Sequence, residues 1–225
     1  MTMEVDDRMH TFPSYAADDP RLAAALVREH PFTLLVSGGE VPVATHTPVI
    51  PEPGGGAVTS FVGTTLLGHV ARANPHWRLF EEHPRVLVVF SGPHGYVSPT
   101  TYDADPTAPT WNYAAVHLTG TVEPITDDTG ALRVVEETVR AMESRRSPAW
   151  DMAPSRELFH RIIGGVAAFR IHVETQQSTF KLSQDLEAPI RHRVRDEFAD
   201  GDHPNPPLAD LMTRADPRYD APPDH

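Results

Sequence analysis

The stretch from Asn112 to Ile125, NYAAVHLTGTVEPI, alternates with a period of two. Ala114, Val116, Leu118 and Val122 fall on one face, and Tyr113, His117, Thr119 and Thr121 on the other. Side chains of a strand point alternately to its two sides, so one face of this strand packs and the other meets solvent or a ligand. Such one-sided strands belong to antiparallel sheets, because parallel strands are covered on both faces. Other strand signals surround it. FTLLVS (32–37) and VPVATHTPVI (41–50) flank a Gly38-Gly39 turn, and the prolines of the second confine it to an edge or give it a bend. VTSFVGTTLLGHV (58–70) is strand-like, and RVLVVFSG (85–92) is the continuous apolar run of a strand buried on both faces. GVAAFRIHVE (165–174) turns Ala167, Phe169, Ile171 and Val173 inward.

Helical signals sit around these strands instead of alternating with them. Asp19 before Pro20 reads as an N-cap and first helical position, opening a short helix to about His30 with Leu22 and Leu26 on one face. ARANPHWRLFEEH (71–83) has helical composition, which places a strand-to-helix turn near Gly68 and His69. Behind an aspartate cap, Leu132, Val135, Val139 and Met142 recur at helical spacing. SRELFHRII (155–163) is a shorter helix, and Arg191 to Arg195 read as a solvated helix face. The fold class is therefore α+β, an antiparallel barrel with peripheral helices. Gly54 to Gly56 follow a proline, lack a lysine and open no helix, which excludes nucleotide hydrolysis and a dinucleotide fingerprint.

Composition narrows the function. A formal charge of -12 opposes the phosphate neutralisation on which nucleic-acid binding rests. No leader-like segment or membrane-length apolar run occurs, so a cytoplasmic location is expected. The chain has no cysteine, so any iron ligand is histidine, tyrosine, methionine or lysine. One domain over 9–198 is expected, with a loosely ordered, acidic and proline-rich tail over 199–225. The segment GPHGYVSPTTYDADPTAPTWNY (92–113) is too rich in proline for a regular helix or strand. Rigid aromatic residues in such a loop suit the rim of a pocket, with Tyr96, Ser98, Tyr102, Trp111 and Asn112 as its candidates.

The motifs PFTLLVS, ATHTPVI, LLGHVARANPHW, GPHGYVSP, PTWNYAAVHLTG and FKLSQ resemble, in order and spacing, the PaiB-like family of FMN-binding split barrels. Where the wider family reads Ser-Pro-x-Trp-Tyr, this chain has Ser98-Pro99-Thr100-Thr101-Tyr102; where it reads Lys-Leu-Ser-Gln-Asn, this chain has Lys181-Leu182-Ser183-Gln184-Asp185. Those variants, with TAPTWNY, ESRRSPAWDM and VAAFRI, resemble the haem-dependent piperazate synthase branch. That resemblance implies a six-stranded split barrel, haem b (alternatively FMN) at a homodimer interface, and cyclisation of L-N5-hydroxyornithine. For such a cofactor His69 is the chosen iron ligand, because it sits at the strand-to-helix turn behind small Gly68; Arg72 and Asn74, opening the following helix, suit an anionic group, and Ser98, Trp111, Asn112, Lys181, Ser183 and Gln184 are the further cofactor candidates. His69 equally reads as a helix cap or a donor to a buried carbonyl. Lys181 and Ser183 alternate away from Gln184, so the three meet one ligand only if the strand ends there. His117, Tyr96 and Tyr102 are the candidates for moving protons.

Overall fold

In the computed structural model, which describes residues 12–16, 19–56, 58–103 and 105–219, the alternating strand is β5 (Thr110–Ile125). Val116 and Leu118 on its packed face are fully buried, whereas His117 and Thr119 are half-buried. The other strands are β1 (Phe32–Ser37), β2 (Val43–Pro51), β3 (Thr65–Ala71), β4 (Arg85–Val97) and β6 (Val166–Lys181). They close as a six-stranded barrel in the order β1-β2-β3-β6-β5-β4, with β4 returning antiparallel to β1. Among the described residues, closure gives each strand a neighbour on both sides. β2 is consequently paired on both sides, with β1 and β3, and its prolines do not mark an edge.

Among the described residues the helices are α1 (Pro20–Glu29), α2 (Pro99–Tyr102), α3 (Asp128–Glu143), α4 (Arg156–Ile162), α5 (Ala188–Asp200) and α6 (Pro206–Ala215). None is long and apolar enough to cross a membrane. The chain packs as two compact units, one of residues 27–90 and 117–176, the other of the described residues in 1–26, 91–116 and 177–225. The expected ends at 9–11 and 220–225 lie outside the described residues.

In the first unit, Asp127 caps α3 by accepting from the Gly130 amide at 2.8 Å. α3 buries Ala131, Val134 and Thr138, and this face packs with Ile50, Leu67, Ile125, Ile163 and Ala168. The expected stripe of Leu132, Val135 and Met142 borders this core and is only partly buried. Thr138 is hidden from a hydrophobic pattern because its hydroxyl is satisfied by the Val134 carbonyl at 2.8 Å.

Gly68 and His69 are not at a turn. They lie inside β3, opposite Phe169 and Ala168 of β6. A Cβ at Gly68 would stand 2.5 Å from the Phe169 ring, so glycine serves a close approach within a strand. Phe169 is fully buried and meets Phe80 edge-on at 5.2 Å. The expected helix over 71–83 reduces to a 3-10 turn at Pro75–Leu79 capped by Asn74.

In the second unit, the proline-rich segment expected as a loop is largely regular: β4 runs through Val97, α2 follows, and β5 starts at Thr110. Gly95 admits Phe198 and Leu208, which would stand 2.7 and 3.0 Å from a Cβ there. The tail expected to be loosely ordered forms α6, with Leu208, Leu211 and Met212 buried. Its prolines are at the first turn, where a missing N–H costs nothing. Arg191, expected on a solvated face, is buried, and its guanidinium donates to the Leu186 carbonyl at 3.2 Å.

Gly68→Ala should overpack the Phe169 contact and lower unfolding free energy by about 1–3 kcal/mol, measured by urea denaturation. An unchanged midpoint would show that Phe169 yields without cost.

Candidate functional site

In the first unit, His69 is half-buried on β3. Its carbonyl accepts from the Thr47 hydroxyl, and its Nδ1 is buried without a hydrogen-bond partner. Burial pushes the His69 pKa below the ordinary histidine value, so the ring is neutral at pH 7 and keeps a nitrogen lone pair. His117 on β5 is depressed for the same reason.

Arg72 and Asn74 do not open a helix with free donors. Arg72 Nε and Nη2 donate to the Gly164 and Val166 carbonyls at 3.0 and 2.9 Å, and its guanidinium stacks on Trp77 at 5.3 Å. Asn74 Oδ1 accepts from the His76 amide at 3.0 Å, and its Nδ2 donates to Thr45 Oγ1 at 3.2 Å. Both side chains hold the turn. His76, absent from the sequence candidates, is buried with Nδ1 2.8 Å from Thr45 Oγ1 and Nε2 2.8 Å from Ser37 Oγ.

In the second unit, Tyr96 of β4 and Trp111 of β5 are about half exposed and meet edge-on at 6.0 Å, with His94 6.2 Å from the indole. Ser98 is spent as the cap of α2, accepting from the Thr100 amide. Tyr102 is buried, and burial pushes its pKa up, which keeps the phenol protonated. Asn112 and Ser183 are buried and bond reciprocally, at 2.9 and 3.1 Å. Gln184 folds onto its own main chain, accepting from the Leu182 amide at 2.6 Å and donating to the Phe180 carbonyl. Lys181 Nζ donates to Thr110 Oγ1 and lies 5.6 Å from the centroid of the Tyr15 ring. Tyr15 in turn donates to Asp185 at 3.0 Å, and burial followed by that bond pushes its pKa up to about 12.

The candidates thus divide between the units. His69, Arg72, Asn74 and His117 belong to the first, and Tyr96, Ser98, Tyr102, Trp111, Asn112, Lys181, Ser183 and Gln184 to the second. Sequence reasoning missed Thr47, His76, Tyr15 and Asp185 as site neighbours. For His76 a signal was available: Asn74 before Pro75 is a cap followed by a first-turn proline, which fixes where the next side chain points.

The ring of six antiparallel strands with helices outside it is the split barrel of FMN-binding proteins. Solved structures share this fold: a flavocytochrome, Anf3, from Azotobacter vinelandii (TM-score 0.52, 17% identity, 77% of this chain and 73% of that one) and an FAD and heme binding protein from Mycobacterium smegmatis (TM-score 0.52, 16% identity, 80% and 78%). The sequence profile of the family described as "Putative FMN-binding domain" matches residues 9–175, and the chain belongs to that family. It is 33% identical over 189 residues to the Bacillus subtilis "Protease synthase and sporulation protein PAI 2", covering 83% of this chain and 87% of that protein.

His69, His76 and His117 are all depressed by burial. Unfolded, they titrate near the ordinary histidine value of about 6.5. Below it the unfolded chain binds protons that the folded chain does not. Their contribution to stability is therefore complete above about pH 6.5 and is lost as pH falls through the lower folded values. Urea midpoints should be level from about pH 7 to 8 and drop between about pH 6.5 and 5. A midpoint that rises on acidification over that window would contradict the assignment.

Proposed function

We propose that this protein holds haem b through His69 and closes the N–N bond of L-piperazic acid from L-N5-hydroxyornithine. One observation carries the reading: a half-buried imidazole, neutral at pH 7, whose Nδ1 is sealed inside the chain without a hydrogen bond, so that Nε2 is the nitrogen left to ligate. Haem asks its protein for an axial donor of that kind. FMN, the alternative, brings a phosphate that needs free donors. Arg72 and Asn74, offered by the sequence for a phosphate or a propionate alike, already make hydrogen bonds within the chain and so do not separate the two cofactors. The variant motifs at Ser98–Tyr102 and Lys181–Asp185 support the same branch; the two solved neighbours, a flavocytochrome and an FAD and heme binding protein, are named for flavin and haem together and fit either cofactor.

When bound, haem supplies a Lewis acid toward the hydroxylamine oxygen, which makes that oxygen a better leaving group. The substrate's α-ammonium needs a base, and His117, neutral because burial disfavours its charged form, has the chemistry for that role. The freed α-amine forms the N–N bond as the N5–O bond breaks. As the bond forms the attacking nitrogen sheds a second proton and the departing hydroxyl takes one up to leave as water, so protons balance and no oxidant or reductant is consumed. Both nitrogens belong to one molecule, so holding it folded makes the attack intramolecular and is worth up to about 7–11 kcal/mol of barrier. We further propose a symmetric homodimer, supported by the half-exposed Tyr96 and Trp111, and a cytoplasmic location. The charge of -12 weighs against the runner-up readings that bind DNA.

Hemin-loaded protein should convert N5-hydroxyornithine to a product lighter by one water in mass spectrometry and leave ornithine unchanged. His69→Ala should lose the haem spectrum while remaining folded. No product, together with rapid reduction of bound flavin by a nicotinamide, would replace this reading with a flavin oxidoreductase.

A further inference from the structure

The main-chain bonding of β2 can be followed residue by residue. The Val49 amide donates to the Pro31 carbonyl at 2.8 Å, away from β3, while the Glu52 amide donates to the Thr65 carbonyl of β3 at 2.9 Å. In an antiparallel pair, alternate residues present both N–H and C=O to the same neighbour. Even-numbered residues of β2 therefore face β3. The register pairs Val49 with Gly68 and Ile50 with Leu67, and one step further it brings Pro48 opposite His69. Proline has no N–H to give. The His69 carbonyl, aimed at β2, lacks its ladder donor at that point, and the Thr47 hydroxyl donates to it instead. Thr47 is itself buried, and its carbonyl accepts from Thr33 Oγ1 of β1 at 3.0 Å.

This substitution of a side chain for a ladder bond matters because of the ring it supports. A ligating histidine is ordinarily oriented by a hydrogen bond from its second nitrogen. His69 Nδ1 is buried and makes none within the chain. The position of the imidazole then depends on the main chain that carries it, and that main chain depends on Thr47.

We propose that Thr47 is the positioning residue for His69, replacing the donor that Pro48 cannot supply, an inference that rests on reading His69 as the axial ligand of haem. The test uses hemin-loaded protein, its absorption spectrum, and the rate of hemin transfer to excess apomyoglobin. Thr47→Val should release hemin on the order of tenfold faster and shift the main haem band, because the loss of an outer partner typically costs tenfold or more in ligand affinity. Thr47→Ser should behave as the parent. The double variant Thr47→Val with Pro48→Ala should regain slow release, since the residue then at position 48 has an N–H. Thr33→Val should move release in the same direction as Thr47→Val and serves if that variant does not fold. Parental release from Thr47→Val or Thr33→Val, with His69→Ala unable to hold hemin, would overturn the inference alone. A double variant as fast as Thr47→Val would overturn the ladder explanation. A His69→Ala protein that keeps its haem spectrum would instead overturn the reading of His69 on which the inference rests.

Discussion

The contact on which the first unit depends is the approach of β6 to β3 at Gly68. With 2.5 Å between a hypothetical Cβ and the Phe169 ring, any other residue at position 68 forces that ring to shift. The pair fixes register, and register fixes which residues face which side: Leu67 packs in the core beneath α3, and His69, two residues on, pairs with Ala168. Phe169 leans edge-on against Phe80, at the end of the turn that Asn74 caps and whose His76 is clamped between Ser37 and Thr45. A slip of one residue would invert the two faces of β3 and place the imidazole on the wrong side.

Polar groups around that strand are placed by elimination of unpaired donors and acceptors. A buried carbonyl without a partner costs roughly 1–3 kcal/mol, which is why the absence of an N–H at Pro48 draws in Thr47. The same economy commits Arg72 to the Gly164 and Val166 carbonyls and Gln184 to the main chain on either side of it. In the first unit His69 Nδ1 stands apart from this pattern, as Arg191 Nε and His192 Nε2 do in the second, and in the proposed reading the unsatisfied His69 ring is the functional one.

How much of this the sequence announced depends on the kind of signal. The alternation over 112–125 and the capped helix after Asp127 were legible because periodicity and capping are local. Gly68 was misread as a turn, since glycine looks the same whether it supplies a left-handed conformation or room for a phenylalanine across the sheet. Prolines in 92–113 argued against regular structure, yet Pro93 lies within β4 and Pro99 opens α2. Composition hid α6 because Leu208, Leu211 and Met212 are few among many acidic and proline residues. At the site, residue type gave candidates and could not give commitments. Asn112 and Ser183 have the donors of a cofactor site, and they face each other in the core. His69 was chosen for a turn it does not occupy and keeps its candidacy on burial and an unpaired nitrogen. Thr47 carried no signal beyond its place before Pro48.

The central claim is that a neutral, half-buried imidazole makes this member of an FMN-binding family a haem protein. Equilibrium titration of the purified apoprotein with hemin and, separately, with FMN tests it most directly. Hemin is expected to bind at one site per chain with the spectrum of histidine-ligated iron and to displace any FMN present. Saturable FMN binding that hemin does not displace, or hemin bound without histidine ligation, would contradict it.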